Sequence, residues 1–316
     1  MIPLRPLGVG DVLEATLGTM RRYPAATFGS SLLVVATVSL LQLALLWPVG
    51  TALADLPEPP VDPDGLETWL GALETVPWQW ALVGGVLVGI LSFVLLTALT
   101  GLLAVVVGQA VLGRPLGLGE AWRRAAPRLP RLLLTVLLVA FVVTAVWLAL
   151  ALLWLTAATT SAPGVVLLLL LLATLAALPV TTFVWVRLAL APPAVMLESE
   201  DGRPVGPVTA IRRSWGLVHG GWWRTFGIVL LGAVIAGALS GLISAPLQAV
   251  IGLLPLDLAA ALVLPILGAI LGQAVSLPIS GLVLGLVYVD RRIRAEGLDA
   301  ALARAAGVEL DPGLYR

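Results

Sequence analysis

Six long apolar stretches, joined by short polar segments, constrain this chain more than any other feature. A helix needs about 20 apolar residues to cross a hydrocarbon layer about 30 Å thick. The six stretches cover about residues 25–47, 79–112, 132–156, 163–190, 222–254 and 256–289. Charged residues make up only 11% of the chain, against about 25% in a soluble domain. We therefore predict an all-α, polytopic membrane protein with six transmembrane helices in a single domain over residues 1–316.

The arginines predict the orientation of these helices. All 18 basic residues are arginine, and they flank spans one, three and five on their N-terminal sides and spans two, four and six on their C-terminal sides. The outer loop, about residues 48–78, holds six acids and no base. Because basic residues favour the cytoplasmic side, both termini and the tail 290–316 are predicted to be cytoplasmic. Ala52-Leu53-Ala54 also resembles a signal-peptidase site, but the apolar run before it is longer than such signals carry.

A basic motif recurs before the spans. RPLGLGEAWRRAA begins at Arg114 and RPVGPVTAIRRSW at Arg203; in each, an Arg pair follows nine residues after the first Arg. The N-terminal RPLGVGDVLEATLGTMRRYP is a partial third copy. Apolar residues recur at three- and four-residue steps in all three, which predicts short amphipathic helices at about 8–22, 117–129 and 206–218. The chain is thus predicted to repeat one unit, an interfacial cytoplasmic helix followed by a helical hairpin.

The amphipathic helices supply the first set of candidate binding residues. Their Trp or Leu edges are expected to face acyl chains, and their arginines to face lipid phosphates or a protein partner. The candidates are Arg123, Arg124, Arg212, Arg213, Trp122 and Trp215. The alternative is that these arginines only anchor the topology.

Polar residues inside the spans suggest a second possibility. Arg187 is embedded in an apolar run, and Gln109 and Gln273 also lie within spans. If the three converge on a cavity, the chain is a transporter or channel for a small or lipid-like molecule. The alternatives are that Arg187 reaches the nearby cytoplasmic surface and that the glutamines bond helix to helix. GxxxG pairs at Gly85, Gly237, Gly268 and Gly281 further predict close packing of spans two, five and six.

Catalytic and metal-binding patterns are missing from the sequence. The chain has no cysteine and one histidine, and it lacks the phosphate-loop, nucleophile-elbow and zinc motifs. No catalytic residue, metal, cofactor or nucleic-acid partner is predicted. A membrane-embedded enzyme acting on phospholipid would need carboxylates and histidine together, for which His219 with Glu198 and Glu200 is the available set.

Several segments resemble a known membrane family. RLALAPPAVMLESEDGRPVGPVTAIRRSWGLVHGGWW from Arg187, LVYVDRRIRAEGLDAALAR from Leu286 and the N-terminal motif resemble the six-span glycerophosphoryl diester phosphodiesterase membrane domain, which is common in actinobacteria. One histidine and about 27 residues after span six leave no room for the catalytic domain fused to some members. The resemblance therefore implies the membrane module alone, in a bacterial cytoplasmic membrane. The expected function is an accessory or scaffold module that engages anionic lipid headgroups or other membrane proteins.

Overall fold

A computed structural model describes residues 6–57, 65–159, 163–200, 203–254 and 258–297. These residues are helical almost throughout, which confirms the all-α prediction. The exception is a small antiparallel pair, β1 (Ser199–Glu200) with β2 (Arg203–Pro204). The helices are α1 (Val9–Arg22), α2 (Ser30–Ala54), α3 (Leu66–Glu74), α4 (Trp78–Val111), α5 (Leu118–Ala125), α6 (Leu129–Thr159), α7 (Gly164–Leu188), α8 (Ala191–Leu197), α9 (Pro207–His219), α10 (Trp222–Leu253) and α11 (Leu258–Glu296).

Six helical segments of the described chain are long and apolar enough to cross a membrane. They are Ala25–Ala54, Trp78–Val111, Leu118–Thr159, Gly164–Leu197, Trp222–Ile251 and Ala259–Glu296. They overlap the six spans predicted from the sequence, so the number of apolar helices and their places along the chain were predicted correctly. Many large apolar side chains along them are exposed to the surroundings, as a lipid environment allows.

Some predicted boundaries were wrong. The outer loop is shorter than 48–78, because α2 continues to Ala54 and α3 forms a helix within it. The second amphipathic helix, α5, ends before 129, and a 3-10 turn at Ala126–Arg128 joins it to α6. Pro127 and Pro130 do not interrupt the helical path there. Each falls in a first helical turn, where no backbone N–H donor is needed. Residues 290–296 are not tail but the last turns of α11.

Consecutive long helices pair as three hairpins: α2 with α4, α6 with α7, and α10 with α11. Helix α11 also packs on α2 and α4 and so occupies the centre. Close approach there depends on glycine, since a Cβ on Gly281 would lie 2.6 Å from Leu103 and one on Gly285 would lie 2.9 Å from Val107. The predicted GxxxG packing thus holds for the two pairs in α11. A Cβ added to either glycine of the pairs that begin at Gly85 and Gly237 would have no described neighbour within 4 Å.

The three copies of the basic motif, hereafter cassettes one, two and three, share a local structure. In each, the glycine of Arg-Pro-x-Gly is the extended N-cap of the helix, with ψ of 169°, 159° and 160°. The residue before it is buried, and so are the residues four and eight positions after it. In order along the motif these buried positions are Leu7, Val12 and Thr16; Leu116, Ala121 and Ala125; and Val205, Ala210 and Ser214. The predicted repeat therefore has a structural counterpart in what each copy buries.

The cassettes meet at one end of the bundle and hold one another in a ring. The hydroxyl of Tyr23, which follows cassette one, donates to the Arg114 carbonyl at the start of cassette two (2.7 Å). Arg131, which follows cassette two, donates to the Pro204 carbonyl in cassette three (2.9 Å). Arg224, which follows cassette three, donates to the Leu7 carbonyl in cassette one. We call this end of the bundle the basic end. Helix α2, about 37 Å long, extends away from it.

Candidate functional site

A cavity of about 560 Å³ opens at the basic end between cassettes two and three. Its walls come from the end of α4, from α5 and the 3-10 turn after it, from α8 and β2, and from the last turns of α11. We call it the basic cavity because four arginines line it and no acid among the described residues does. Its polar lining residues are Arg123, Arg124, Arg128, Arg292, Gln109 and Tyr288, and its apolar ones include Val105, Val111, Leu112, Met196, Leu197 and Val289.

The wall formed by α4 depends on how that helix ends. Gly113 has a left-handed φ of 66° and follows the last turn. The Arg114 amide donates to the Gln109 carbonyl (3.1 Å), and the Gly113 amide donates to the Ala110 carbonyl (3.1 Å). This is the Schellman arrangement, for which glycine is favoured because a side chain strains the left-handed conformation. The turn directs the chain into cassette two and places α5 beside the end of α4.

The arginines of cassette two differ in how firmly they are held. Arg123 makes no hydrogen bond or ion pair with any described residue. Arg124 pairs with Glu120 on its own helix (2.5 Å), and both side chains are exposed. Arg128, in the 3-10 turn, donates to the Met196 carbonyl and to Ser199 Oγ (3.0 Å), so its guanidinium is fixed by α8 and by β1. The cavity therefore presents two adaptable charges and one immobile charge.

The α11 wall belongs to an ion network that reaches cassette three. Arg292 Nε lies 3.0 Å from Glu296 and 3.6 Å from Glu198, whose side chain is 10% exposed. Arg213 donates to both oxygens of Glu198 (2.9 and 2.8 Å) and pairs with Glu296 (2.6 Å). The Tyr288 hydroxyl also donates to Glu198. Burial lowers the pKa of Arg213, but bonding to Glu198 and Glu296 raises it overall, so this arginine stays charged.

The structure separates the arginine candidates of the two cassettes. Arg123 and Arg124 share the basic cavity, whereas Arg213 is committed to the ion network and Arg212 lies exposed on α9 without a bond to any described residue. Trp122 and Trp215 lie on the outer surfaces of their helices, 47% and 42% exposed.

Arg187 lies against cassette three. It is only 7% exposed, and its guanidinium lies over the rings of Phe183 (5.0 Å) and Trp215 (4.9 Å). Its Nη1 donates to the Trp215 carbonyl and to His219 Nδ1, both at 3.2 Å, so the proton of a neutral His219 lies on Nε2. The Arg187 side chain thus ends against α9, which covers it, and not at an open surface.

The residues proposed for transport and for catalysis occupy separate places. Gln109 lines the basic cavity, but Arg187 and Gln273 do not, and Gln273 is exposed on α11. His219 bonds Arg187, whereas Glu198 bonds Arg213 and Tyr288; the side chain of Glu200 is outside the described residues. Among the described residues, no group of three or more His, Cys, Asp or Glu side chains could hold a metal ion.

Sequence reasoning missed three contributors to the basic cavity: Arg128, Tyr288 and Arg292. Both arginines belong to clusters that were interpreted only as topology signals. A signal was present, since Arg292 sits in the run DRRIR directly after an apolar span. Nothing in the sequence shows that this run meets α5.

Comparison with known proteins gives one match. No curated protein and no solved structure matches the chain. Nothing found links it to the glycerophosphoryl diester phosphodiesterase membrane domain, so that resemblance remains an inference from sequence. Residues 7–290, which include all three cassette helices and most of the six apolar helices, match the model of a domain of unknown function, DUF7847. The chain belongs to the DUF7847 family.

Proposed function

We propose that this protein is an integral protein of the bacterial cytoplasmic membrane, with the basic end in the cytoplasm, and that its basic cavity binds the headgroup of an anionic phospholipid. The observation that carries the proposal is the described part of the lining, which has four guanidinium groups and no acid beside an apolar wall. Arginine matches phosphate oxygens in charge and geometry. The apolar wall suits the glycerol backbone and the first carbons of the acyl chains.

The surroundings of the cavity favour a membrane lipid over a soluble anion. Leu112 lines the cavity, and Leu118 and Trp122 lie on α5, the helix that carries Arg123 and Arg124; all three are exposed. Tryptophan favours the boundary between headgroups and acyl chains. A lipid whose phosphate lies between Arg123 and Arg128 can lay its chains along these side chains.

The proposed role is that of an accessory or scaffold module that holds lipid at the cytoplasmic face. Engagement of another membrane protein is an extension of the same role, since a lipid can bridge two membrane proteins. Transport is less favoured because its candidate residues, Gln109, Arg187 and Gln273, do not share the cavity. An enzyme acting on phospholipid is less favoured because His219 and Glu198 are engaged by different arginines.

The test compares the Arg pair of cassette two with Arg212, the residue of cassette three that is equivalent to Arg123. Purified protein in mixed micelles is titrated with phosphatidylglycerol or phosphatidylcholine, and bound lipid is counted by native mass spectrometry. At about 1 kcal/mol per charge, the double variant Arg123→Gln/Arg124→Gln should bind phosphatidylglycerol about 30-fold more weakly. Arg212→Gln is the matched control and should bind like the wild type, because Arg212 is outside the cavity lining. Equal losses in both variants, or no loss in the double variant, contradict the proposal.

A further inference from the structure

A second cavity lies on the other side of the last turns of α11. It has a volume of about 820 Å³ and opens between cassettes three and one, where α10 begins. Arg224, Arg291 and Arg294 line it, together with Gly220 and Gly221 at the start of α10. We call it the α10 cavity. It shares no lining residue with the basic cavity.

Each of the three arginines is anchored to the protein through two of its nitrogens. Arg224 uses Nε for Asp290 (3.4 Å) and Nη2 for the Leu7 carbonyl; Arg294 uses Nε for Asp290 (2.9 Å) and Nη2 for the Leu7 carbonyl (3.2 Å). Arg291 donates from Nε (2.8 Å) and Nη2 (2.7 Å) to the Leu217 carbonyl. In all three, Nη1 bonds no described residue. Three oriented guanidinium groups therefore keep donors for an added ligand.

The charges around this cavity do not balance. Asp290 is 1% exposed and is the acid that pairs with Arg224 and Arg294, while Arg291 binds only a neutral carbonyl. Among the residues that the structure describes, these three positive charges meet one negative charge, which leaves a surplus of two. Burial lowers the hydration of such a cluster, so a dianion that supplies oxygen acceptors would be favoured there.

The start of α10 adds to this preference. Its N-cap is Gly221, which offers no capping side chain, so the first amides of α10 have no partner within the helix. Helix N-termini with free amides favour phosphate groups. Gly221 is also required by space, because a Cβ there would overlap the Arg291 guanidinium.

We propose that the α10 cavity is a second anion site, which binds a phosphate group with charge of about −2 through Arg224, Arg291 and Arg294. The phosphate can belong to a water-soluble molecule or to a lipid headgroup. Only Leu217 and Ile293 are large apolar residues in the lining, in contrast to the basic cavity, so we expect the soluble source. The proposal does not depend on lipid binding in the basic cavity.

The experiment uses the full chain in nanodiscs made only of phosphatidylcholine. Inorganic phosphate is titrated at constant ionic strength, and hydrogen exchange is followed in residues 216–225 and 290–297. Saturable protection is expected in the wild type. Arg294→Gln should weaken phosphate binding at least about tenfold, the usual effect of losing a charge-assisted hydrogen bond. Arg224→Gln should weaken phosphate binding to a similar extent. The melting temperatures of Arg224→Gln and Arg294→Gln show whether these variants remain folded.

Two comparisons make the outcome decisive. Arg212→Gln, whose side chain lies outside the described linings of both cavities, should be protected by inorganic phosphate like the wild type, which controls for the general loss of a surface charge. The lipid probe is phosphatidic acid, whose phosphomonoester can carry a charge of about −2. If inorganic phosphate gives no protection but nanodiscs containing phosphatidic acid protect the same residues in wild type and not in Arg294→Gln, the phosphate comes from a lipid. If neither probe protects these residues, or if folded Arg294→Gln and Arg224→Gln bind as the wild type does, the α10 cavity is not an anion site.

Discussion

Cassettes two and three have nearly the same motif but use it differently. Both start a helix at an extended glycine and bury the same positions, Ala121 with Ala125 and Ala210 with Ser214. Their Arg pairs also fall at equivalent places. Yet Arg124 pairs only with Glu120 on its own helix, whereas Arg213 binds Glu198 and Glu296 from two other elements.

The difference lies in what surrounds each copy. Around cassette three, the end of α8 and the end of α11 each bring a carboxylate within reach of Arg213. Around cassette two, the part of the basic cavity's lining that the structure describes contains arginines and no acid. A duplicated motif thus fixes the backbone and the buried face, while neighbouring elements decide whether its charges stabilise the fold or are left for a ligand. On this view cassette three is structural and cassette two is the binding copy.

The largest expected effect is the loss of Arg213. Arg213→Gln removes the main ionic partner of Glu198, whose side chain is 10% exposed, and leaves it Tyr288 and the more distant Arg292; weakening the pairing of a buried charge is costly. We expect the free energy of unfolding to fall by about 3 kcal/mol. The measurement is denaturant unfolding in mixed micelles.

The matched variant of Arg213→Gln is Arg124→Gln. Because the Arg124–Glu120 pair is exposed and lies on one helix, its loss should change stability by at most about 0.5 kcal/mol. Similar losses in the two variants would mean that the cassettes do not differ in the way proposed here.

The helices that carry the two Arg pairs could be predicted from the sequence, but the different ion partners of Arg124 and Arg213 could not. The apolar runs gave the long helices, and the three- and four-residue steps gave α1, α5 and α9, because hydrophobic length and period are local properties. Arg213 and Arg124 look alike in the sequence, since the partners of Arg213 lie 15 and 83 residues away. Which carboxylate meets which arginine depends on helix packing, and no local pattern encodes it.

The second-largest expected effect concerns the buried helix face that cassettes two and three share. Ala121 and Ala210 are both fully buried four residues after the N-cap glycine, so a larger side chain must displace its neighbours. We expect Ala121→Leu and Ala210→Leu each to lower the free energy of unfolding by about 2 kcal/mol. Val208→Leu, at an exposed position of α9, is the control and should have little effect. A large effect at only one of the two alanines would show that the buried face is not equivalent in the two copies.

A smaller difference is expected between the two tryptophans. Trp215 covers the buried guanidinium of Arg187, with 4.9 Å between the charge and the ring centre, whereas Trp122 makes no cation–π contact with any described residue. Trp215→Leu should therefore destabilise the protein by about 1 kcal/mol more than Trp122→Leu. Thermal unfolding of both variants in one detergent gives the comparison. Trp215→Phe, which keeps an aromatic face, should recover part of the loss.

The smallest effect on stability, and the one that most sharply separates binding from folding, is expected at Arg123. It lines the basic cavity and bonds no described residue, so Arg123→Gln should leave the free energy of unfolding in lipid-free micelles within about 0.5 kcal/mol of wild type. With phosphatidylglycerol added, wild type gains stability by mass action, and Arg123→Gln should gain less. The measurement is the melting temperature with and without the lipid. Equal gains would assign the lipid effect to another surface, and a loss without lipid would make Arg123 a structural residue like Arg213.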